Sequence, residues 1–100
     1  MICIKIINSY RTVVAIADSE LIGKKFEEGR FQLDVKENFY KGEKEYSEED
    51  ALNLIRDMKK EDATFNIVGE KAVNLAIKAG IIETESFGKI QGVPFTLVLL

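Results

Sequence analysis

Histidine and tryptophan are absent from this 100-residue chain, which has one cysteine and one proline. Without histidine, a Ser-His or Cys-His nucleophile pair is impossible. The single thiol, Cys3, cannot form an internal disulfide, and a zinc site needs more thiolate or imidazole ligands than this chain has. We therefore predict no catalytic residue, no metal site and no cofactor, and the composition favours a non-enzymatic protein. Because Cys3 stands in a β-branched run, we expect its side chain to be buried and unreactive.

Long apolar runs are absent as well. The run that closes the chain, "LVLL", is far too short to span a bilayer, and the N-terminus lacks the long apolar core of a signal peptide. A hydrophobic content of 46% nevertheless suits a folded globular chain. We expect a cytoplasmic protein without a membrane partner, folded as a single domain over residues 1–100.

Negative charge is concentrated in one segment. The net charge is −3, and residues 37–65 alone contribute −4, with five Lys/Arg against nine Asp/Glu. This distribution excludes an evenly basic nucleic-acid surface, although a local basic patch is compatible with it. The acidic segment is a candidate for binding a basic protein partner. The abundance of lysine and glutamate is also typical of thermophile proteins.

The pattern of apolar residues predicts alternating strands and helices. "ICIKII" (2–7) and "TVVAIA" (12–17) are β-branched runs joined by the polar turn "NSYR", which predicts an antiparallel hairpin. Ser47 followed by Asp50 resembles a capping box and predicts a helix that ends near Lys60. A short helical turn is predicted over 20–26, capped by Asp18 or Ser19 and ended by Gly29. The other predicted elements are strands at 30–35, 64–68, 87–90 and 94–100, and a helix at 70–79 that ends at Gly80. This order predicts an α+β (or α/β) fold, with a single mixed β-sheet packed by two to three helices.

For three further segments, the sequence predicts whether the residues lie in a loop, on one face of a strand or in the interior of the sheet. Residues 36–46 are expected to form a charged loop. In the strand before it, Phe31, Leu33 and Val35 alternate with polar residues and should share one face. The last strand can only begin at its proline, and we expect it in the interior of the sheet, because an unbroken apolar strand at an edge invites aggregation.

In the stretch "NIVGEKAV", a predicted buried strand is followed by a glycine and then by a helix. Phosphate-binding loops have the same order of elements. A phosphate loop needs several glycines so that successive amides face the anion, whereas Gly69 is alone here. Glu70 in the first helical turn would repel a phosphate. The pattern favours a structural corner, with Gly69 and Lys71 retained as candidate binding residues. If a pocket lies there, Asp18, Asp34 or Glu70 would act as acid or base.

Four basic residues are candidates for contacts with phosphate groups. Arg11 lies in the predicted hairpin turn, and Lys24, Lys25 and Arg30 lie within "LIGKKFEEGR". Glutamates stand between them, as on an ordinary exposed surface. Tyr40 could supply a stacking surface for a base, although aromatic side chains in loops more often hold the loop to the core.

Four segments together resemble one family. "ADSELIGKKFEEG", "FQLDVKENFY", "NIVGEKAVNLAIKAGII" and "IQGVPFTLVLL" occur in the order and at the spacing of the DUF424 family of small archaeal proteins. The resemblance covers essentially the whole chain. It implies an archaeal, cytosolic, single-domain α/β protein from a family without an established biochemical function, and it implies an association with translation and RNA metabolism. From the resemblance we expect histidine after "GVP" in many relatives, whereas Phe95 follows Pro94 here, which counts against a function that relied on that histidine.

Two kinds of function follow from these observations. The first is a non-enzymatic binding protein associated with RNA, a ribonucleoprotein or the translation machinery. The alternative is a small-molecule-binding protein or enzyme with its pocket at the Gly69 corner, or a protein-interaction module that uses the acidic 37–65 segment.

Overall fold

The computed structural model describes residues 1–99. Its strands are β1 (Ile2–Ile7), β2 (Val13–Asp18), β3 (Lys25–Glu28), β4 (Phe31–Asp34), β5 (Glu45–Tyr46), β6 (Thr64–Val68), β7 (Gly88–Ile90) and β8 (Val93–Leu99), and its helices are α1 (Glu37–Tyr40), α2 (Glu48–Lys59) and α3 (Glu70–Lys78). Within the described part of the chain, none of these helices is long and apolar enough to cross a membrane.

Six strands form one mixed sheet in the order β5–β1–β2–β6–β8–β7. β2 and β6 run parallel, with Ala17 beside Val68, whereas the other neighbours are antiparallel. The predicted hairpin of the first two strands is confirmed, with Ile4 opposite Ile16. β3 and β4 form a separate two-stranded hairpin. The fold is therefore of the predicted α+β class, with a mixed main sheet packed by helices.

The two faces of the main sheet are covered by different layers. α2 and α3 pack on the first face, over a core that includes Phe65 and Ile67. The β3–β4 hairpin and α1 cover part of the second face, around Val35 and Tyr40. Cys3 is only 1% exposed, so its predicted burial is confirmed. Covering both faces explains why β2 and β6 are almost wholly apolar.

Local capping signals fix the ends of the two longer helices. The Ser47 Oγ accepts a hydrogen bond from the backbone N–H of Asp50 at 3.1 Å, which satisfies one free donor at the start of α2. α3 ends before Gly80, whose φ of +77° is the left-handed conformation that glycine adopts without strain after a helix. Both helices thus lie where the sequence predicts them.

The predicted helix over residues 20–26 is wrong. Only a single 3-10 turn forms, at Ser19–Leu21, and the following residues enter β3. Phe26 lies opposite Leu33 of β4, and both side chains pack on the second face of the sheet. Pairing with β4 therefore overrides the local helical pattern. Gly29, with φ of +61°, forms the turn of this hairpin instead of ending a helix.

The predicted loop at 36–46 also contains regular structure. It includes α1 and the two-residue strand β5, in which Tyr46 pairs with Ile2. In β4, the expected alternation holds for Leu33, which is half-buried, and continues to the buried Val35. Phe31 is 70% exposed, because it lies at the tip of the β3–β4 hairpin.

The last strand is only partly interior. β8 lies between β6 and β7, but β7 pairs only with residues 93–95. No strand of the described chain lies beside residues 96–99 on that side, and Leu97 and Leu99 are 60% and 70% exposed. The prediction of an interior last strand is therefore correct for its first half and wrong for its second half, because the covering strand is too short.

Candidate binding site

The glycine corner is occupied by a carboxylate of the chain itself. Asp18 ends β2 beside the end of β6, and its side chain reaches the first turn of α3. There it accepts hydrogen bonds from the backbone N–H groups of Lys71 at 3.1 Å and Ala72 at 2.7 Å. The amides that could have held a phosphate are thus already bonded. The prediction that this stretch is a structural corner agrees with the geometry, and the side chain of Lys71 is left exposed.

Gly69 allows the end of β2 and the start of α3 to approach this closely. Its φ is +110°, and a Cβ at this position would lie 2.4 Å from the Asp18 Cγ. Both the backbone conformation and the contact require glycine. The Gly69 N–H donates to the Pro94 carbonyl at 2.8 Å, which ties the corner to β8.

Asp18 is only 3% exposed. Burial raises the pKa of this carboxyl group above its ordinary value, and the hydrogen bonds from Ala72 and Lys71 oppose that shift. Asp18 was expected to cap the helical turn that follows it, but no side-chain bond is made there. Its partners lie on α3, which makes it a structural residue and not a free acid or base.

The other candidate carboxylates do not join Asp18. Asp34 is exposed on β4, opposite Lys25 of β3. Glu70 is exposed at the start of α3. Within residues 1–99, no group of three or more acidic, histidine or cysteine side chains could hold a metal ion. The structure therefore shows no pair of carboxylates in these positions arranged for acid–base chemistry.

The four basic candidates are not gathered into one patch. Lys24 and Lys25 lie at one end of the β3–β4 hairpin and Arg30 at the other, separated by a four-residue strand, about 13 Å at 3.3 Å per residue. Lys25 lies opposite Asp34. Arg11 lies in the β1–β2 turn, with its Nη2 3.6 Å from an Asp62 carboxylate oxygen. Each basic group thus has an acidic neighbour or stands apart from the others.

Tyr40 holds the chain to the core instead of offering a stacking surface. Tyr40 is 8% exposed, and its ring meets the Phe39 ring edge-to-face, with centroids 5.0 Å apart. Burial raises the pKa of the Tyr40 hydroxyl. A contact of Tyr40 with a bound base is therefore not supported, and the expectation that loop aromatics pack on the core is the one that the geometry favours.

The exposed half of β8 is a feature that the candidate residues missed. We call residues 96–99 the β8 edge. Leu97 and Leu99 project from the second face of the sheet, whereas Thr96 and Val98 lie opposite Ile67 and Phe65 and point to the helices. A two-residue turn, with positive φ at Gln91 and Gly92, joins β7 to β8. The sequence did contain a signal for this open edge. The strand predicted before the turn, at 87–90, is too short to pair with more than the start of β8.

Carboxylates lie at both ends of the β8 edge. At one end, the Thr96 Oγ1 lies 3.4 Å from the Ser86 carbonyl oxygen, so the segment with the exposed Glu83 and Glu85 runs alongside. At the other end, Leu99 pairs with Thr64, which follows the acidic pair Glu61 and Asp62. The edge is thus an apolar and backbone surface between two acidic ends.

A known protein family matches almost the whole chain. The family model of DUF424, described as a protein of unknown function, matches residues 7–100. The chain belongs to the DUF424 family. The predicted resemblance is confirmed by this match, and no curated protein matches the chain.

One solved structure shares the DUF424 chain's fold. It is the crystal structure of an uncharacterized conserved protein from Methanopyrus kandleri, with a TM-score of 0.84 and 24% sequence identity. The match covers 98% of this chain and 91% of that one. At this identity the similarity supports the fold alone.

The residue after "GVP" has a structural role in this DUF424 protein. Phe95 is half-buried and packs with the cluster on the second face of the sheet. Its ring lies so close to Gly88 that a Cβ there would be 3.1 Å away. Phe95 therefore helps to fix β7 on β8, and with it the point at which the covered part of β8 ends.

Proposed function

We propose that this DUF424 protein is a non-enzymatic binding protein that takes up an extended, basic segment of a partner protein along the β8 edge. The observation that carries the proposal is the pair of leucines, Leu97 and Leu99, which are 60% and 70% exposed on a part of β8 beside which no other strand of residues 1–99 lies. Natural proteins usually protect such an edge with charge, proline or a cover. Here the edge itself has none of these.

An added strand fits this edge by ordinary sheet pairing. The free backbone groups of an edge strand can pair with an extended peptide, and alternate side chains of that peptide select the partner. Apolar side chains of the added strand would lie beside Leu97 and Leu99 on the second face. The partner therefore has alternating apolar residues over about four positions, since the edge covers residues 96–99.

Charge favours a basic partner over a second copy of this chain. Exposed Glu83 and Glu85 lie near one end of the edge, and Glu61 and Asp62 lie near the other. A lysine or arginine at either end of an added strand would be attracted to them. Two copies of this chain, each with net charge −3, would bring like charges together. The sequence predicted that a basic protein partner would bind segment 37–65. Only the last acidic residues of that segment adjoin the β8 edge.

RNA is the weaker candidate. Tyr10 is fully exposed beside Arg11 in the β1–β2 turn, an arrangement that could stack on a base. However, Arg11 pairs with Asp62, and Glu61 lies in the same hollow, so phosphate groups would meet carboxylates there. Lys24, Lys25 and Arg30 do not add to this surface. Association with RNA or ribonucleoproteins stays a prediction.

The replacement of Leu99 by lysine tests the β8 edge. The probe is a labelled heptapeptide of alternating lysine and valine, KVKVKVK, measured by fluorescence anisotropy at low salt. We expect Leu99→Lys to weaken binding about tenfold or more, because it removes an apolar contact and adds a like charge. The acidic counterpart EVEVEVE should bind the native protein about tenfold more weakly than the basic peptide.

Phe31→Lys is the matched control. Phe31 has the same 70% exposure as Leu99 and lies on the separate hairpin, so this substitution should leave peptide affinity unchanged. The proposal would be overturned if Leu99→Lys and Phe31→Lys lost equal peptide affinity. It would also be overturned if the native protein bound the acidic and the basic peptide equally well. Binding of a labelled single-stranded RNA that is unaffected by Leu99→Lys would move the function to the RNA candidate.

A further inference from the structure

A hollow lies beside the glycine corner, on the helix-covered face of the sheet. The hollow, of about 210 Å³, opens between α3 and the β7–β8 hairpin. Glu70, Val73 and Asn74 are spaced so that they share one face of α3, and this face lines the hollow. Lys89 and Pro94, which are paired across β7 and β8, form the opposite side. We call this region the α3–β7 hollow.

The α3–β7 hollow has an apolar floor and a charged rim. Val73 and Pro94 are buried, and Phe87 is half-buried. Three polar side chains stand at the rim and are exposed: Glu70, Asn74 and Lys89. Within the described residues, no hydrogen bond or ion pair engages any of these three side chains. A carboxylate and an ammonium group thus border one small hollow without pairing with each other.

The amides at the start of α3 cannot serve a ligand here. The N–H groups of Lys71 and Ala72 are bonded to Asp18, so a bound anion could not use them. Lys89 is the cation that lines this hollow, and Glu70 is its anion. A ligand that satisfies both must carry an anionic and a cationic group.

We propose that the α3–β7 hollow binds a free amino acid with a small apolar side chain. The ligand's carboxylate pairs with Lys89, its ammonium group with Glu70, and its side chain lies on Val73, Phe87 and Pro94. Asn74 can donate to the carboxylate or accept from the ammonium group. A hollow of about 210 Å³ leaves room for a ligand of this small size.

This site is independent of the β8 edge. The hollow lies on the helix-covered side of the first half of β8, whereas the β8 edge is the second half. A free amino acid as a ligand therefore neither requires nor excludes a protein partner, and each proposal can fail alone.

An NMR titration of the native protein tests the proposal. Each common amino acid is added to isotope-labelled protein up to about 10 mM, a range suited to weak ligands. We expect valine or proline to shift the backbone amides of residues 70–74 and 87–93. Acetate and ethylammonium, which each carry only one of the two charges, should bind about tenfold more weakly or not at all.

Charge-neutralising variants complete the test. Glu70→Gln and Lys89→Gln should each weaken binding about two- to fivefold, as expected for an exposed ion pair, whereas Glu49→Gln and Lys78→Gln, which change exposed residues outside the hollow, should have no effect. The proposal is overturned if no amino acid shifts these amides, if the single-charge probes bind equally well, or if the control variants weaken binding as much as the rim variants.

Discussion

Replacing Gly69 by alanine should lower the melting temperature by about 15–30 °C. The φ of +110° strains any residue with a Cβ by about 1–3 kcal/mol. The new methyl group would also lie 2.4 Å from the Asp18 Cγ, which displaces a buried carboxylate from its two amide donors at a further cost of about 1–3 kcal/mol. A total near 4 kcal/mol corresponds to that shift for a domain of this size. Differential scanning calorimetry measures it.

Gly23→Ala is the matched control. Gly23 also has a positive φ, +84°, but an added Cβ would meet no atom within 4 Å. Only the backbone strain remains, so the free energy of unfolding should fall by about 1 kcal/mol. Equal effects at Gly23 and Gly69 would contradict the claim that the contact with Asp18 makes Gly69 necessary.

Removal of the Asp18 side chain should also destabilise the fold strongly. Asp18→Ala leaves two amide donors at the start of α3 without their acceptor, one of them buried and the other partly buried, and we expect a loss of about 2–4 kcal/mol in urea unfolding. In the Asp18→Ala background, Gly69→Ala should cost less than in the native protein, because the clash is gone and only the strain remains. Additive effects would show that the two residues act independently.

The pH dependence of stability gives a second test of Asp18. Because burial raises the pKa of Asp18 in the folded state above its unfolded value of about 3.9, the folded state binds the proton more tightly. The stability that this group contributes is fully present below the unfolded pKa and is lost as pH rises through the folded pKa. The free energy of unfolding of the native protein minus that of Asp18→Asn should therefore fall across this range. A rise with pH would mean that the amide hydrogen bonds outweigh burial.

The parts of the fold that follow from sequence have local signals. These signals are the cap at Ser47, the β-branched runs of the first hairpin and the glycine after α3. Each of them acts within a few residues, so it can be recognised without knowledge of the fold. The role of Asp18 is different, because its hydrogen-bond partners lie 53 and 54 positions along the chain. The sequence allowed a cap at Asp18, but it could not indicate which helix is capped.

Tertiary pairing explains the remaining differences. Phe26 has the spacing of a helical residue, yet its place opposite Leu33 on the second face is set by the β3–β4 hairpin. Exposure of Leu97 and Leu99 depends on the length of β7, which pairs with only three residues of β8. Likewise, the sequence placed Lys24, Lys25 and Arg30 close together, and the hairpin separates them.

Both proposed sites depend on the β7–β8 hairpin. Phe95 packs against Gly88 and fixes β7 on the first half of β8, where the hairpin also forms one side of the α3–β7 hollow. The second half of β8 is then left as the edge. The short strand β7 thus determines which half of β8 is covered and which half is an open edge.

Amide hydrogen exchange at the β8 edge tests the central claim most directly. In the free protein, the outward-facing amides among residues 96–99 should exchange about 100-fold faster than the paired amides of β6, because no strand protects them. Saturation with the KVKVKVK peptide should slow these same amides about tenfold or more, as pairing with the added strand forms. Exchange that is already slow in the free monomer, or that is unchanged when the peptide is bound, would contradict the account.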